Sequence, residues 1–268
     1  MKIGVFDSGF GGIHILKGFV NRCPDYDFVY LGDTARTPYG TRSKDVVFEF
    51  TRQAVDFLVN QGCDLVILAC FTAATIALRR IQQEYLPNAY PDKRVLGVFV
   101  PAIEDVMEKS LNKRIGIIAT QGTVNSGAFI NEIAVRDSSV VVVQKACPLL
   151  VPFVEAGESE TEACHLMLRR YLDPLIEQSI DSLVLGCTHY GILEHQIRSI
   201  VGESVYIMSG TNVFPEKLAH YLMRHPEIET KLSKNRTVTF FTTDLTEAFS
   251  TLGAQFFGAP VEADIVSL

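Results

Sequence analysis

Two cysteines of this chain lie in nearly the same local sequence, and both could transfer protons. Cys70 ends the run DLVILAC at 64–70, and Cys187 ends the run DSLVLGC at 181–187. Each apolar run is typical of a buried parallel strand. Open α/β sheets bind their ligands at the carboxyl ends of such strands. We therefore expect the two thiols to face one site from opposite sides, where one removes a proton from a carbon and the other returns one.

Acid–base residues lie close to both cysteines. His189 is two residues beyond Cys187 and could share or shuttle the proton of that thiol. Asp7 follows the first apolar run and opens the glycine-rich turn SGFGG, where a ligand can approach backbone N–H groups. Asp7 alone also fits a helix cap. A Cys–His hydrolase also fits Cys187 and His189, but it leaves Cys70 without a role.

A polar loop, GDTARTPYG at 32–40, follows the second apolar run. At the end of a strand, this loop offers the Tyr39 hydroxyl and the open backbone of Gly40. An ordinary connecting loop is the alternative interpretation.

The composition indicates a packed globular protein. The chain has 268 residues, of which 47% are hydrophobic and 21% charged. A net charge of −7, with no long run of Lys or Arg, argues against a nucleic-acid partner. The chain has no apolar stretch near the ~20 residues of a membrane span and no signal-peptide pattern at its start. We therefore expect a cytoplasmic protein with no membrane partner.

The six cysteines are expected to be reduced. Their spacing fits neither a disulfide framework nor a CxxC metal site. Cys23, Cys63 and Cys164 are interpreted as small buried hydrophobic residues. Cys70 and Cys187 differ because their surroundings repeat.

The elements that must position these residues alternate along the chain. Helical patterns cover 43–61, 72–85 and 158–178. Strands alternating with helices predict an α/β fold with parallel sheets. Nine strand-like runs are predicted, at 2–6, 28–31, 65–69, 94–99, 114–119, 140–144, 182–186, 205–208 and 237–242.

A weak internal repeat predicts two domains of similar plan. The segment IGVFDS at 3–8 resembles IGIIAT at 115–120, and one of the paired cysteines follows each. Two pseudo-symmetric α/β domains would result, with the active site at their interface. We expect residues 1–99 and 209–268 to form the first, discontinuous domain and residues 100–208 the second.

Taken together, these segments resemble the glutamate racemases, within the aspartate/glutamate racemase superfamily. The resemblance covers nearly the whole chain, and the combination in this order is highly specific. Its segments are VFDSG at 5–9 with Gly11 and Gly12, GDTAR at 32–36 with PYGTRS at 38–43, Ala69-Cys70 with Thr72, Ile118-Ala119-Thr120 with Thr123, ACPL at 146–149 with Val151, Pro152 and Glu155, and LGCTHY at 185–190.

The resemblance implies a two-base racemase that interconverts L- and D-glutamate, which in the family supplies D-glutamate for peptidoglycan. No metal, pyridoxal phosphate or nucleotide cofactor is implied, and a homodimer is common in the family. Cys70 and Cys187 would act as base and acid on the substrate α-carbon, assisted by Asp7 and His189 respectively, with Glu155 as a further acidic residue. The residues implied to bind the amino acid are Asp7, Ser8, Tyr39, Gly40, Phe71, Thr72, Thr123, Thr188 and His189.

Four positions depart from the family pattern. Phe71 stands where the family has an Asn that contacts the amino acid, and Val100 where it has a Glu. Met208 replaces an Asp, and Gly191 replaces a common Pro. Losing one polar substrate contact costs about 1–3 kcal/mol. Three interpretations stay open: a glutamate racemase with a rearranged pocket, a racemase of another amino acid, or a racemase-like binding or regulatory protein.

Overall fold

Two parallel β-sheets form the framework of the protein. The computed structural model describes residues 1–268, apart from the side chain of residue 248. The ten strands are β1 Lys2–Asp7, β2 Phe28–Gly32, β3 Cys63–Leu68, β4 Arg94–Gly97, β5 Arg114–Ala119, β6 Val141–Ala146, β7 Ser182–Gly186, β8 Tyr206–Met208, β9 Val238–Thr242 and β10 Ala263–Ile265.

Helices connect the strands. Shorter segments of other helix types are the 3₁₀ turns Thr34–Arg36, Tyr39–Thr41 and Thr188–Leu193 and the π-helical segment Ile81–Tyr85. The α-helices are α1 Gly12–Arg22, α2 Lys44–Asn60, α3 Phe71–Ile76, α4 Leu78–Arg80, α5 Leu86–Ala89, α6 Phe99–Lys109, α7 Gln121–Ser126, α8 Ala128–Arg136, α9 Leu150–Glu155, α10 Glu162–Ile176, α11 Glu194–Val201, α12 Gly210–Arg224, α13 Pro226–Glu229 and α14 Glu247–Phe257.

The two sheets have the same internal strand order. The first runs β10-β9-β2-β1-β3-β4 and the second β6-β5-β7-β8. Strands β1 to β4 of the first sheet therefore take the same places as strands β5 to β8 of the second, with β1 matching β5 and β3 matching β7. We call the part that carries the first sheet the first half and the part that carries the second sheet the second half. This arrangement confirms the predicted α/β class with two pseudo-symmetric parallel sheets.

Burial explains why the central strands read as continuous apolar runs. Every residue of β7 is buried, and so is every residue of β1 after Lys2. Strands covered on both faces lose the alternating pattern of a half-exposed sheet. Polar caps mark several helix starts, as where Ser43 accepts a hydrogen bond from the Val46 N–H at the start of α2.

Several element boundaries differ from the prediction. The helix predicted over 72–85 is divided into α3, α4 and the π-helical segment. The strand predicted over 94–99 ends at Gly97, because α6 begins at Phe99 and accommodates Pro101 in its first turn. The sequence reading missed β10, whose three residues carry too little pattern to detect. The predicted domain bounds stay predictions.

Within the described part of the chain, no helix is both long and apolar enough to cross a bilayer.

Candidate active site

Cys70 lies where β3 passes into α3, beside two polar residues at the end of β1. The Cys70 sulfur is 3.2 Å from the Ser8 hydroxyl and accepts a hydrogen bond from the Ala73 N–H at 3.5 Å. Burial, and to a smaller extent the negative charge of Asp7, raises the pKa of the Cys70 thiol to about 12. Cys70 therefore keeps its proton near neutral pH.

Cys187 lies at the equivalent end of β7 and has different partners. Its sulfur is 3.8 Å from Nδ1 of His189, which belongs to the 3₁₀ turn that follows β7. On the far side of the ring, Nε2 is 3.2 Å from a carboxylate oxygen of Glu155, at the end of α9. These two atoms are within ion-pair distance but poorly aligned for a hydrogen bond.

The charge of His189 follows from these partners. Burial alone would lower the pKa of the imidazole, but its contacts with Cys187 and Glu155 outweigh that cost and raise the pKa to about 10. His189 is therefore cationic near neutral pH. The ring thus places a buried positive charge beside the Cys187 sulfur.

Asp7 connects the two sides of the site. One carboxylate oxygen accepts a hydrogen bond from the Gly9 N–H at 3.1 Å, and the other from the Thr188 hydroxyl at 3.3 Å. Burial raises the pKa of the Asp7 carboxyl, while the charge of His189 opposes that increase. Asp7 thus acts electrostatically on Cys70 but is hydrogen-bonded to the segment that carries Cys187.

A small cavity of about 30 Å³ lies between the two thiols. Its walls come from both halves, so the structure brings most of the predicted site residues together. Cys70 and Cys187 line it with Ser8, Tyr39, Gly40, Phe71, Thr72, Thr188 and His189.

Three predicted site residues reach this cavity through others. Asp7 contacts it through Thr188, and Glu155 through His189. The Thr123 hydroxyl is 3.3 Å from that of Thr72 and is fully buried. All three lie directly behind residues that line the cavity.

The sequence predicts that the Tyr39 hydroxyl is available to a ligand, but in the structure it is hydrogen-bonded within the protein. It donates a hydrogen bond to the buried Asp33 carboxylate, which is also bound by the Arg36 guanidinium at 2.7 Å and the Thr243 hydroxyl at 2.8 Å. Burial, together with the charge of Asp33, raises the pKa of Tyr39 far above its usual range. Tyr39 therefore keeps its proton, and its hydroxyl is engaged by Asp33.

Sequence reasoning did not assign Asp33 or Thr120 to the site. Thr120 lines the cavity, and its hydroxyl is 2.9 Å from that of Thr72 in the other half. The internal repeat carried a signal for Thr120, since it pairs this residue with Ser8. Asp33 directly follows β2, and its partners are the nearby Arg36 and Tyr39 and the distant Thr243.

Phe71 lines the cavity and also packs in the hydrophobic core. Its ring is 6.2 Å from that of Phe129 and 6.0 Å from that of Phe214, so helices of both halves accommodate its bulk. The other departures differ in burial: Met208 is buried, whereas Val100 and Gly191 are half-buried.

Within the described residues, no group of three or more His, Cys, Asp or Glu side chains is arranged to hold a metal ion.

Comparison with known proteins gives a consistent result. The model of the Asp/Glu/Hydantoin racemase family matches residues 12–214. A glutamate racemase from Paracoccus denitrificans is 39% identical, with 97% of this chain and 98% of that protein covered. One from Aquifex aeolicus is 36% identical, with 100% and 98% covered.

Solved structures agree in fold as well as sequence. A glutamate racemase isoform from Bacillus anthracis superposes with a TM-score of 0.90 at 32% identity, covering 100% of this chain and 97% of that one. A glutamate racemase from Francisella tularensis, solved in complex with D-glutamate, gives a TM-score of 0.89 at 32% identity, with 99% and 97% covered.

Proposed function

The chain belongs to the Asp/Glu/Hydantoin racemase family, and we propose that it interconverts L- and D-glutamate. The observation that carries this proposal is the pair of buried thiols at the ends of the equivalent strands β3 and β7, facing one cavity. A racemase needs an acid–base group on each face of the α-carbon, which is what two equivalent strand ends provide. In the family this reaction supplies D-glutamate for peptidoglycan.

The chemistry is a proton exchange across the α-carbon. One cysteine, as thiolate, takes the α-proton and leaves the C–H electron pair on carbon. The other cysteine, as thiol, gives its proton to the opposite face, so that the pair of thiols exchanges roles in each turnover. The carbanion needs stabilisation by donors held in place before the reaction. We assign this to the hydroxyls of Ser8, Thr72 and Thr188 and to the backbone of Gly40.

The environments of the two thiols differ. Burial raises the pKa of the Cys70 thiol, whereas the Cys187 sulfur lies 3.8 Å from the imidazole of His189. Asp7 and Glu155 would orient the two sides, since they contact Thr188 and His189.

The burial of the thiols sets a condition on substrate entry. Cys70 and Cys187 are both buried, and the cavity between them is lined by residues of both halves. We therefore propose that the two halves separate to admit the amino acid and close around it. The predicted division into residues 1–99 with 209–268 and residues 100–208 fits this movement.

Further expectations belong to the same proposal. We propose that the enzyme works as a homodimer in the cytoplasm and needs no cofactor. Amino-acid substrate is its proposed small-molecule partner, in line with the D-glutamate complex of the Francisella tularensis protein.

A second function is favoured by one observation, the apolar wall formed by Phe71. An amino acid with a less polar side chain would fit that wall better than glutamate does. The same thiols would then racemise a different substrate.

Exchange of the α-proton tests these possibilities. We would incubate the protein with each enantiomer of glutamate in deuterated water, then follow α-deuteration by NMR and inversion by circular dichroism. We expect both with glutamate. Activity only with another member of an amino-acid panel would reassign the substrate, and no exchange by folded protein would contradict the racemase proposal.

A further inference from the structure

Gly11 lies immediately before α1 in the first half, against the imidazole of His189 in the second. A Cβ atom added to Gly11 would lie 2.6 Å from the Thr188 hydroxyl oxygen, 2.7 Å from His189 Nδ1 and 2.8 Å from His189 Cε1. Atoms of these types do not approach so closely, so a side chain at this position would force the His189 segment to move.

The backbone itself does not require glycine at this position. Gly11 has φ −59° and ψ −31°, in the right-handed helical region that every L-residue adopts. Close approach is therefore the physical reason for glycine at position 11.

The close approach occurs at the atom that carries the chemistry. Nδ1 of His189 is the ring nitrogen nearest the Cys187 sulfur, at 3.8 Å. The Phe10 ring packs against the imidazole in a T-shaped arrangement at a centroid distance of 5.6 Å, and Glu155 lies at Nε2. The bare backbone at Gly11 completes this enclosure from the opposite half.

We propose that Gly11 is a positioning residue, which lets the start of α1 seat the His189 imidazole against Cys187. The acid–base pair of the second half is then correctly placed only when the first half is in contact with it. The inference rests on the proposed racemase function. In that reaction the α-proton moves to the Cys187 sulfur and the electron pair stays on carbon, so a displaced His189 slows proton transfer at this sulfur in both directions.

Isotope effects distinguish this role from a general loss of activity. The two enantiomers have equal free energies, so kcat/KM must be equal in the two directions for every variant. An impaired Cys187 instead changes which proton transfer limits the rate. For Gly11→Ala we expect a larger α-deuterium isotope effect on kcat/KM with the enantiomer whose α-hydrogen faces Cys187, and a smaller one with the other enantiomer.

Two glycine variants serve as matched comparisons. Gly191→Ala lies in the same 3₁₀ turn as His189, and its new Cβ would meet His14 at an ordinary 3.4 Å. We expect it to leave activity and both isotope effects unchanged. Gly122→Ala would place Cβ 2.9 Å from the Gly40 carbonyl oxygen, which obstructs contact between the halves away from His189. We expect it to lower kcat/KM without the opposite changes in isotope effect.

Two further measurements do not depend on catalysis. NMR titration of the His189 ring should show a lower pKa in Gly11→Ala than in the parent protein, because the ring moves away from Cys187 and Glu155. In urea unfolding, Gly11→Ala should destabilise the His189→Ala background less than the parent, since removing the ring relieves two of the three close contacts.

The outcomes distinguish the role of Gly11 from the proposed racemase function. Suppose that the parent protein racemises glutamate and that folded Gly11→Ala keeps both isotope effects and the His189 pKa of the parent. That result would overturn the role of Gly11. The same unfolding cost in both backgrounds would also overturn it. A parent protein with no racemase activity, but with the shifted His189 pKa in the variant, would overturn the proposed function and leave the positioning contact intact.

Discussion

Truncation of Phe71 tests whether the largest departure from the family pattern is built into the core. Only 2% of the Phe71 surface is exposed, and its ring contacts those of Phe129 and Phe214. Removing a buried phenyl ring costs its transfer free energy and leaves a cavity, about 3–5 kcal/mol in total. We expect Phe71→Ala to lower the free energy of unfolding by that amount.

Part of this cost should be shared with the two neighbouring rings. The Phe71 and Phe129 rings are nearly parallel, with an interplanar angle of 27°, whereas the Phe71 and Phe214 rings are tilted by 55°. Aromatic pairs of this kind contribute about 0.5–1.5 kcal/mol beyond buried area. A double-mutant cycle between Phe71→Ala and Phe129→Ala should therefore give a coupling energy in that range.

Urea unfolding of the parent and the variants gives these free energies directly. Leu111→Ala is the matched control, because Leu111 is 93% exposed and its loss should change stability by less than about 0.5 kcal/mol. A cost for Phe71→Ala below about 1 kcal/mol, with no coupling to Phe129, would refute the packing described. The thiols are untouched, so we also expect glutamate racemisation to continue with a raised KM.

Three further predictions address the site itself. Cys70→Ala and Cys187→Ala should each abolish racemisation measured by circular dichroism, whereas a Cys–His hydrolase would be insensitive to Cys70→Ala. Since Glu155 raises the pKa of His189, Glu155→Gln should move the high-pH limb of kcat/KM to lower pH, and an unmoved limb would contradict the contact. The pKa of His189 in the folded state, about 10, lies above the usual 6.5, so the stability that its protonation contributes is complete below pH 6.5 and is lost as pH rises through 10. The free energies of unfolding of the parent and of His189→Ala should therefore converge over that interval. A constant difference between them would contradict this sign.

The parallel sheets and the paired thiols could be predicted because their signals are local. The apolar runs before Cys70 and Cys187 are strand-like by themselves, and the repeat of 3–8 at 115–120 matches β1 and β5. The local sequence also predicted that His189 lies beside Cys187, because the two are only two residues apart. The break at Ile81–Tyr85 was not predictable in this way, because the segment contains no Pro or Gly that would mark a change in the helix.

Residues whose role depends on distant partners could not be assigned. Asp33 accepts hydrogen bonds from Tyr39 and from Thr243, which is far away in sequence. Gly11 appears in the sequence as one glycine of a turn, and only the fold brings it against His189. Nothing in the order of residues gives such contacts before the two halves are placed together.

The symmetry of the fold and the asymmetry of the site answer different demands of the reaction. Equivalent strands β3 and β7 place one sulfur on each side of the cavity, because both faces of the α-carbon need a proton-transfer group. The partners of the sulfurs differ, with Ser8 and Asp7 near Cys70 and a cationic His189 near Cys187. Each sulfur must act as base with one enantiomer and as acid with the other, because the reaction runs in both directions. The equivalent framework therefore sets where the two sulfurs lie, and the unequal partners set how charge is stabilised on each side of the cavity.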